Sequence, residues 1–324
     1  MRFVVILFSS LVASAALGMG FLCAAGAVLA WGGRADGRLD ILAHFAPFWF
    51  AGGLAATVTA LCLRPPSIKA ALLIPGVVAM VAAGGLIVPE LIRRMSPRVA
   101  PDAPHQIKLI QFNTWNRNVD PEGTARWIVG EDPDIVVIEE AQPPVLDAIR
   151  RLKRYQQSGS RSSVVILSKA PQASNVLPRP RGRGPHAVLA LATFATADGG
   201  FTVVGVHYAW PTLVRMQAAQ AADLARVLDG FDHSRLIVAG DFNSTPWSFA
   251  RRRDDARFGL ERRTRALFSW PARNSTGHRL LVVAPFLPID HVYAGPAWRT
   301  VSVRRGPKLG SDHYPVVVRL ALAP

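Results

Sequence analysis

Residues 236–243 read Leu-Ile-Val-Ala-Gly-Asp-Phe-Asn, a β-branched apolar run that ends abruptly in a carboxylate and an amide. Its composition and length are those of a strand, and Gly240 supplies the break. The same pattern recurs along the chain. The run 107–113 ends at Asn113, 134–139 ends at Glu139 followed by Glu140, and 201–207 ends at His207. Asp290 and His291 adjoin the apolar residues 287–289, and Asp312 and His313 directly precede 316–318. Further strand-like runs lie at 163–168, 187–194, 235–239, 289–293 and 315–320. Strand ends are where a rigid sheet holds side chains from distant parts of a chain at one shared cleft.

Helical patterns alternate with these strands. The clearest is 211–228, where Leu213, Met216, Ala219, Leu224 and Val227 fall near helical spacing before Gly230 stops the run. Weaker helices are expected at 121–129 and 144–152, and 171–186, rich in Pro, Gly and Arg, reads as a loop. Residues 105–324 therefore form a mixed α/β catalytic-type domain, joined by a Pro-containing linker at 96–104 to a different kind of segment.

That segment, 1–95, carries three long runs without charge: 3–33, 41–63 and 70–89. A bilayer core needs about 20 apolar helical residues, so three transmembrane helices are expected near 5–29, 43–63 and 70–92. The first run is longer than the apolar stretch of a signal peptide, roughly 7–15 residues, which favours an uncleaved anchor. Gly52-Gly53 and Gly84-Gly85 suit close packing of helices in lipid. By the positive-inside rule, Arg2, Arg64 and Lys69 place the N-terminus and second loop in the cytoplasm and send the domain outside; Arg93, Arg94 and Arg98 weigh the other way. Half of the 324 residues are hydrophobic and 18% are charged, which excludes a disordered chain and a plain cytosolic globule. Cys23 and Cys62, the two cysteines, fall inside the apolar runs, so the domain beyond them needs no disulfide. The formal charge of +15 suits a phosphate-bearing substrate or anionic head groups without establishing either.

Carboxylates, histidines and amides converging without cysteine suggest a hard-metal phosphoesterase, because oxygen-rich sites select Mg²⁺ or Mn²⁺ over structural zinc. The motifs F-N-T-W at 112–115, P-D-I-V-V-I-E-E at 133–140, V-H-Y at 206–208, G-D-F-N at 240–243, I-D-H at 289–291 and S-D-H-Y-P-V at 311–316 stand in this order. In that order they resemble the motifs of the endonuclease/exonuclease/phosphatase superfamily, over about residues 105–322. The resemblance implies a four-layer α/β sandwich, two mixed β-sheets face to face with helices outside, here preceded by three transmembrane helices.

It also implies roles. Glu140 matches the metal-binding glutamate and Asn113 the asparagine beside it, with Asp312 completing or orienting the metal shell, for Mg²⁺ or alternatively Mn²⁺. Asp241 matches the aspartate that orients or deprotonates the attacking water, and Asn243 the amide that holds that water or a phosphate oxygen. His313 resembles the histidine that contacts the phosphate or acts as base, with Asp290 its partner. His207 resembles the second histidine, which stabilises the transition state or protonates the leaving group. Glu139 is expected to stand behind the metal ligand or at the surface beside it, and His291 to be a packing residue. Trp115 stands where some members carry a second acidic ligand, so one metal is the expectation. Lys169 matches a basic residue that touches phosphate, and Arg215 with Gln217 or Gln220 matches a pattern more often structural than catalytic.

The leading expectation is a membrane-anchored, extracytoplasmic phosphoesterase, an integral protein of the cell membrane acting on lipid-linked phosphate or phospholipid head groups; no protein partner is expected. An extracytoplasmic nuclease is the alternative enzyme, and a catalytically silent phosphate-binding scaffold the alternative of another class. The scaffold would have lost one of Glu140, Asp241, Asn243 or His313, and all are present.

Overall fold

The computed structural model describes residues 2–63, 66–160, 163–175, 188–196, 200–273 and 284–323, with side chains of the first helix described from residue 12 onward. Arg64 and His186, together with most of the loop 171–186 and His278, lie outside them. The chain divides into two compact units, one of residues 1–93 with 247–252, the other of 94–246 with 253–324.

The helical unit contains α1 (Arg2–Ala30), α2 (Gly37–Ala43), α3 (Ala46–Cys62) and α4 (Pro66–Leu91). Two of its helical stretches are long and apolar enough to cross a membrane, Val12–Arg34 and Pro66–Leu91. The middle run of the sequence differs from a single straight span: α2 and α3 meet at 55°, and α3 alone has 17 residues. Pro47 sits in the first turn of α3, where its missing N–H costs nothing, so the break falls just before it. Small residues line the inside of this unit. A Cβ on Gly53 would sit 2.7 Å from both Ala79 Cβ and Gly76 O, so α3 and α4 touch through glycine. The large side chains Phe21, Leu61, Ile74 and Val81 are exposed instead. Residues 247–252 belong here too. The buried Asp40 carboxylate accepts from Phe249 N and Ala250 N, each at 2.7 Å, and the Trp247 indole donates to His44 O at 3.3 Å.

The second unit is a sandwich of two mixed sheets. Its elements are β1 (Gln106–Asn113), α5 (Pro121–Gly130), β2 (Ile135–Glu139), α6 (Pro143–Leu152), β3 (Gln156–Gly159), β4 (Val164–Ser168), β5 (Val188–Phe194), β6 (Phe201–His207), α7 (Val214–Leu228) and β7 (Leu236–Asp241). There follow α8 (Phe249–Phe258), whose first residues count with the helical unit, β8 (Glu261–Arg262), β9 (Asp290–Ala294), β10 (Trp298–Arg305) and β11 (Val316–Leu322). The first sheet runs β10-β11-β1-β2-β4-β3 and the second β5-β6-β7-β9-β8.

Strand side chains alternate between faces, and the core follows that phase. Leu109, Ile135, Val137, Val203, Ile237, Ala239 and Val292 point inward into one cluster shared by both sheets. Their neighbours Ile110, Phe112, Val136 and Ile138 point outward and pack with α5 and α6. On the other side Val204, Val206 and Val238 pack with α7 and with Phe258 of α8. Four layers result. The sheets approach closely at Gly205, where a Cβ would lie 2.8 Å from Val137 Cγ1 and Val164 Cγ1. Continuing the inward phase to the strand ends brings Asn113, Glu139, His207 and Asp241 into the same interior. The apolar filling between the sheets is thereby replaced at one end by polar groups.

Candidate active site

Each strand contributes from the same end. Strand β1 is parallel to β2, and β6 to β7, so Asn113, Glu139, His207 and Asp241 are all C-terminal. Strand β9 is antiparallel to β7 and pairs Asp290 with Asp241, while β11 is antiparallel to β1, so the segment before it returns His313 to the same edge.

Asp241 is the centre. Its Oδ2 accepts from Asn113 Nδ2 at 3.0 Å and lies 3.6 Å from His207 Nε2 and 3.7 Å from His313 Nε2. Its Oδ1 accepts from Asn243 N at 2.8 Å. His313 Nδ1 meets Asp290 Oδ2 at 2.9 Å, and Asp290 Oδ1 accepts from Gln111 Nε2 at 2.8 Å. Asn113 Nδ2 also approaches Glu140 Oε1 at 3.2 Å, whose other oxygen accepts from Asn116 N at 2.8 Å. Asp312 Oδ2 accepts from the Trp270 indole at 3.2 Å, and its Oδ1 is buried without a partner among the described residues. Asn243 donates one amide hydrogen to Tyr208 O at 2.8 Å.

Backbone strain marks the loops that carry these groups. Trp115 and Glu140 adopt φ of 59° and 49°, the left-handed region that residues other than glycine, asparagine and aspartate seldom enter, and Asn243 takes φ of 48° at little cost. Such residues persist where the surroundings over-determine them, as they do at active sites.

Burial and charge act together on the ionisable groups. Desolvation raises Asp241 to about 6, helped by Asp290 and opposed by the two histidines. Burial also raises Asp312 and pushes Glu139 well above the usual range, with Asp290 and Asp241 adding to it for Glu139. For His313 burial lowers the value, but Asp290 and Asp241 outweigh it and the imidazole rises to about 10. Metal-free, it is an imidazolium at neutral pH.

The structure thus gathers Asn113, Glu140, His207, Asp241, Asn243, Asp290, Asp312 and His313 at one end of the sandwich. Of the two places expected for Glu139 the structure shows the inner one: it is fully buried and accepts from Gln111 Nε2 at 2.8 Å. One expectation needs revising. Lys169 lies at the opposite end of β4, beside Asp132 at 2.9 Å and Asp134 at 3.3 Å, because β4 runs antiparallel to β2. Gln111 was not singled out, although its inward phase on β1 makes it a polar residue inside an apolar core, a signal the alternation alone contains. His291 packs as expected, with Thr264 Oγ1 3.2 Å from Nδ1 and Ser244 O 2.9 Å from Nε2. Gln217 and Gln220 hold the loop after His207 through Ala209 O and Ala209 N.

The donor set fits a hard divalent cation. Glu139, Glu140, Asp241, Asp290 and Asp312 outnumber the two histidines, and among the described residues Asp312 Oδ1 is a buried oxygen with no donor. Ligand atoms of Asp241, Asp290 and His313 lie within 4.8 Å of one another, but both Asp290 oxygens and His313 Nδ1 are already hydrogen-bonded.

A sequence profile described as the Endonuclease/Exonuclease/phosphatase family matches residues 110–313, more than half of the chain. No curated protein sequence matches. Among solved structures, the catalytic domain of human Nocturnin with a bound sulfate anion is similar at 16% identity and a TM-score of 0.53, over 72% of this chain and 99% of that one. D. rerio TDP2 complexed with a single-strand DNA product gives 14% and 0.52 over 66% and 98%, and truncated Caenorhabditis elegans TDP2 gives 14% and 0.51 over 67% and 98%. At such identities the likeness is one of fold.

Proposed function

The chain belongs to the endonuclease/exonuclease/phosphatase family, and from that premise we propose that it is a divalent-metal-dependent phosphoesterase of lipid-linked phosphates or phospholipid head groups, held at the outer face of the cell membrane by its N-terminal helices. The observation that carries the hydrolytic reading is one oxygen, Asp241 Oδ2, shared by Asn113 and faced by His207 and His313. Two imidazoles, an amide and a carboxylate around one point match the needs of water attack on a phosphate.

In this reading Glu140, Asn113 and Asp312 hold Mg²⁺, with Mn²⁺ as a substitute, and Asp241 orients the attacking water and takes its proton. The ion, when bound, neutralises charge developing on phosphate oxygens. His313, kept protonated by Asp290 and Asp241, donates to a phosphate oxygen rather than acting as base. His207, the more exposed imidazole, supplies the proton to the departing oxygen. Asn243 keeps one amide hydrogen for the phosphate or the water.

The lipid part of the reading is supported by two helices apolar enough to span a bilayer and by large apolar side chains on the outside of the helical unit. Arg2 and Lys69 favour an external catalytic unit under the positive-inside rule. The test is the full chain in detergent, offered phospholipids, lipid pyrophosphates and single- and double-stranded DNA with Mg²⁺ or EDTA. Turnover of a lipid phosphoester, lost with EDTA, is expected. Cleavage of DNA alone would replace this reading with a nuclease, and binding without turnover would replace it with a scaffold.

A further inference from the structure

Among the described residues of the catalytic unit, the exposed large hydrophobic side chains are Val119, Leu152, Trp210, Leu213 and Met216. Three of these five fall within seven residues that begin just after His207, where random scatter would spread them over the surface. Leu213 N donates to Trp210 O at 2.9 Å, closing a turn into α7, so 210, 213 and 216 recur at helical spacing. Further along the helix Gln217, Gln220, Leu224 and Leu228 are buried, so the exposed large apolar side chains are confined to its N-terminal turn. Trp210 is 59% exposed, whereas Trp298 of the same unit is almost wholly buried.

The patch is continuous with the catalytic centre. The Trp210 ring meets Trp270 edge-on at 6.5 Å, and the Trp270 indole holds Asp312. Arg215, next to Met216 in the first turn of α7, is exposed and without an ion pair among the described residues. A tryptophan, two flexible aliphatic chains and an unpaired guanidinium are what an anionic lipid interface accommodates. The indole sits at head-group depth, the aliphatics enter the acyl boundary and the cation meets phosphate.

We infer that Trp210, Leu213, Arg215 and Met216 form a bilayer-docking surface that delivers the phosphate of a membrane lipid to the centre at Asp241. This rests on the lipid-phosphoester reading for the identity of the substrate, and on the patch alone for the docking.

Two measurements on the full chain, reconstituted in vesicles of phosphatidylcholine and phosphatidylglycerol, separate the parts. The first is tryptophan fluorescence in vesicles whose lipids carry bromine near the head group. A component quenched by bromine and absent from Trp210→Phe is expected; an identical quenched fraction in both proteins overturns the docking surface. The second compares hydrolysis of vesicle phospholipid with that of a soluble aryl phosphodiester. Leu213→Ser/Met216→Ser should lower lipid turnover about tenfold while soluble turnover changes less than about twofold. Equal loss on both substrates, or loss on neither, overturns the delivery role. If no lipid is turned over by the native protein while the bromine quenching is present, docking stands and the lipid-substrate reading fails. If Trp210→Phe instead weakens single-stranded DNA binding with no quenching by lipid, the patch is a base-stacking surface and the inference is wrong.

Discussion

The strand pair β2 and β4 carries a charged cluster at each end, and the two behave oppositely. At the N-terminal end of β2, Asp132 and Asp134 meet Lys153 and Lys169 at the surface. The hydrogen bonds from Lys153 and Lys169 pull the Asp132 carboxyl down to about 2. Four residues of strand away, roughly 13 Å, Glu139 begins the buried cluster in which carboxylates outnumber cations, and Glu139, Asp241 and Asp312 all rise. Residue types are shared; balance and burial are not. An exposed, paired cluster stabilises a fold a little. A buried, unbalanced one costs stability until a cation or a substrate arrives, and it persists where chemistry needs it.

The sharpest way to break this contrast is to remove its extremes. Asp241→Asn and His313→Ala should each lower turnover about a thousandfold, as loss of a proton-transfer or phosphate-contacting group does, while Lys169→Ala and Asp132→Asn leave turnover within about twofold. Thermal unfolding then adds a sign. Asp241 holds its proton more tightly folded than unfolded, so its contribution to stability falls as pH rises from 3.8 to about 6 and stays unfavourable above. Metal-free Asp241→Asn should therefore melt no lower than the native chain above pH 6. A strongly reduced melting temperature there would show that Asp241 is a structural group. His313 runs the other way, with its stabilisation complete below 6.5 and lost as pH passes about 10.

Mg²⁺ should sharpen the same contrast. At about pH 8 the ion relieves repulsion among ionised carboxylates, and at about pH 5 it must first displace protons. At one fixed Mg²⁺ concentration the rise in melting temperature is expected to be larger at the higher pH, where a concentration about a hundred times the Kd adds about 2.7 kcal/mol of stability. An equal rise at both values would place the ion elsewhere. Gln111→Leu should lower kcat about tenfold with KM unchanged and shift the alkaline limb of the pH profile, because Gln111 holds Asp290 and through it His313. A change in KM alone would contradict that role. Smallest is the outer cluster: Asp132→Asn should move the melting temperature slightly, and less in high salt.

The central strands were legible because each is a short apolar run with a polar stop, and the stops are the site. What escaped were β3, β8 and β10, all sheet edges. Edge strands carry polar and charged residues that discourage further pairing; β10 reads Trp-Arg-Thr-Val-Ser-Val-Arg-Arg and is shifted in register between Thr300 and Ser302. Asn113, Glu140, Asp241 and His313 were legible through their motifs. Gln111 was not, since its role depends on Asp290, 179 residues further along the chain. The bend between α2 and α3, and the capping of Phe249 by Asp40 across 209 residues, are likewise set by partners no local pattern names.

Calorimetric titration of the full chain with Mn²⁺ tests the centre of this account most directly. One ion is expected to bind with release of protons, to be lost in Glu140→Gln and Asp312→Asn, and to survive in Asp132→Asn and Asp134→Asn. Binding that survives the inner substitutions and vanishes with the outer ones would contradict it.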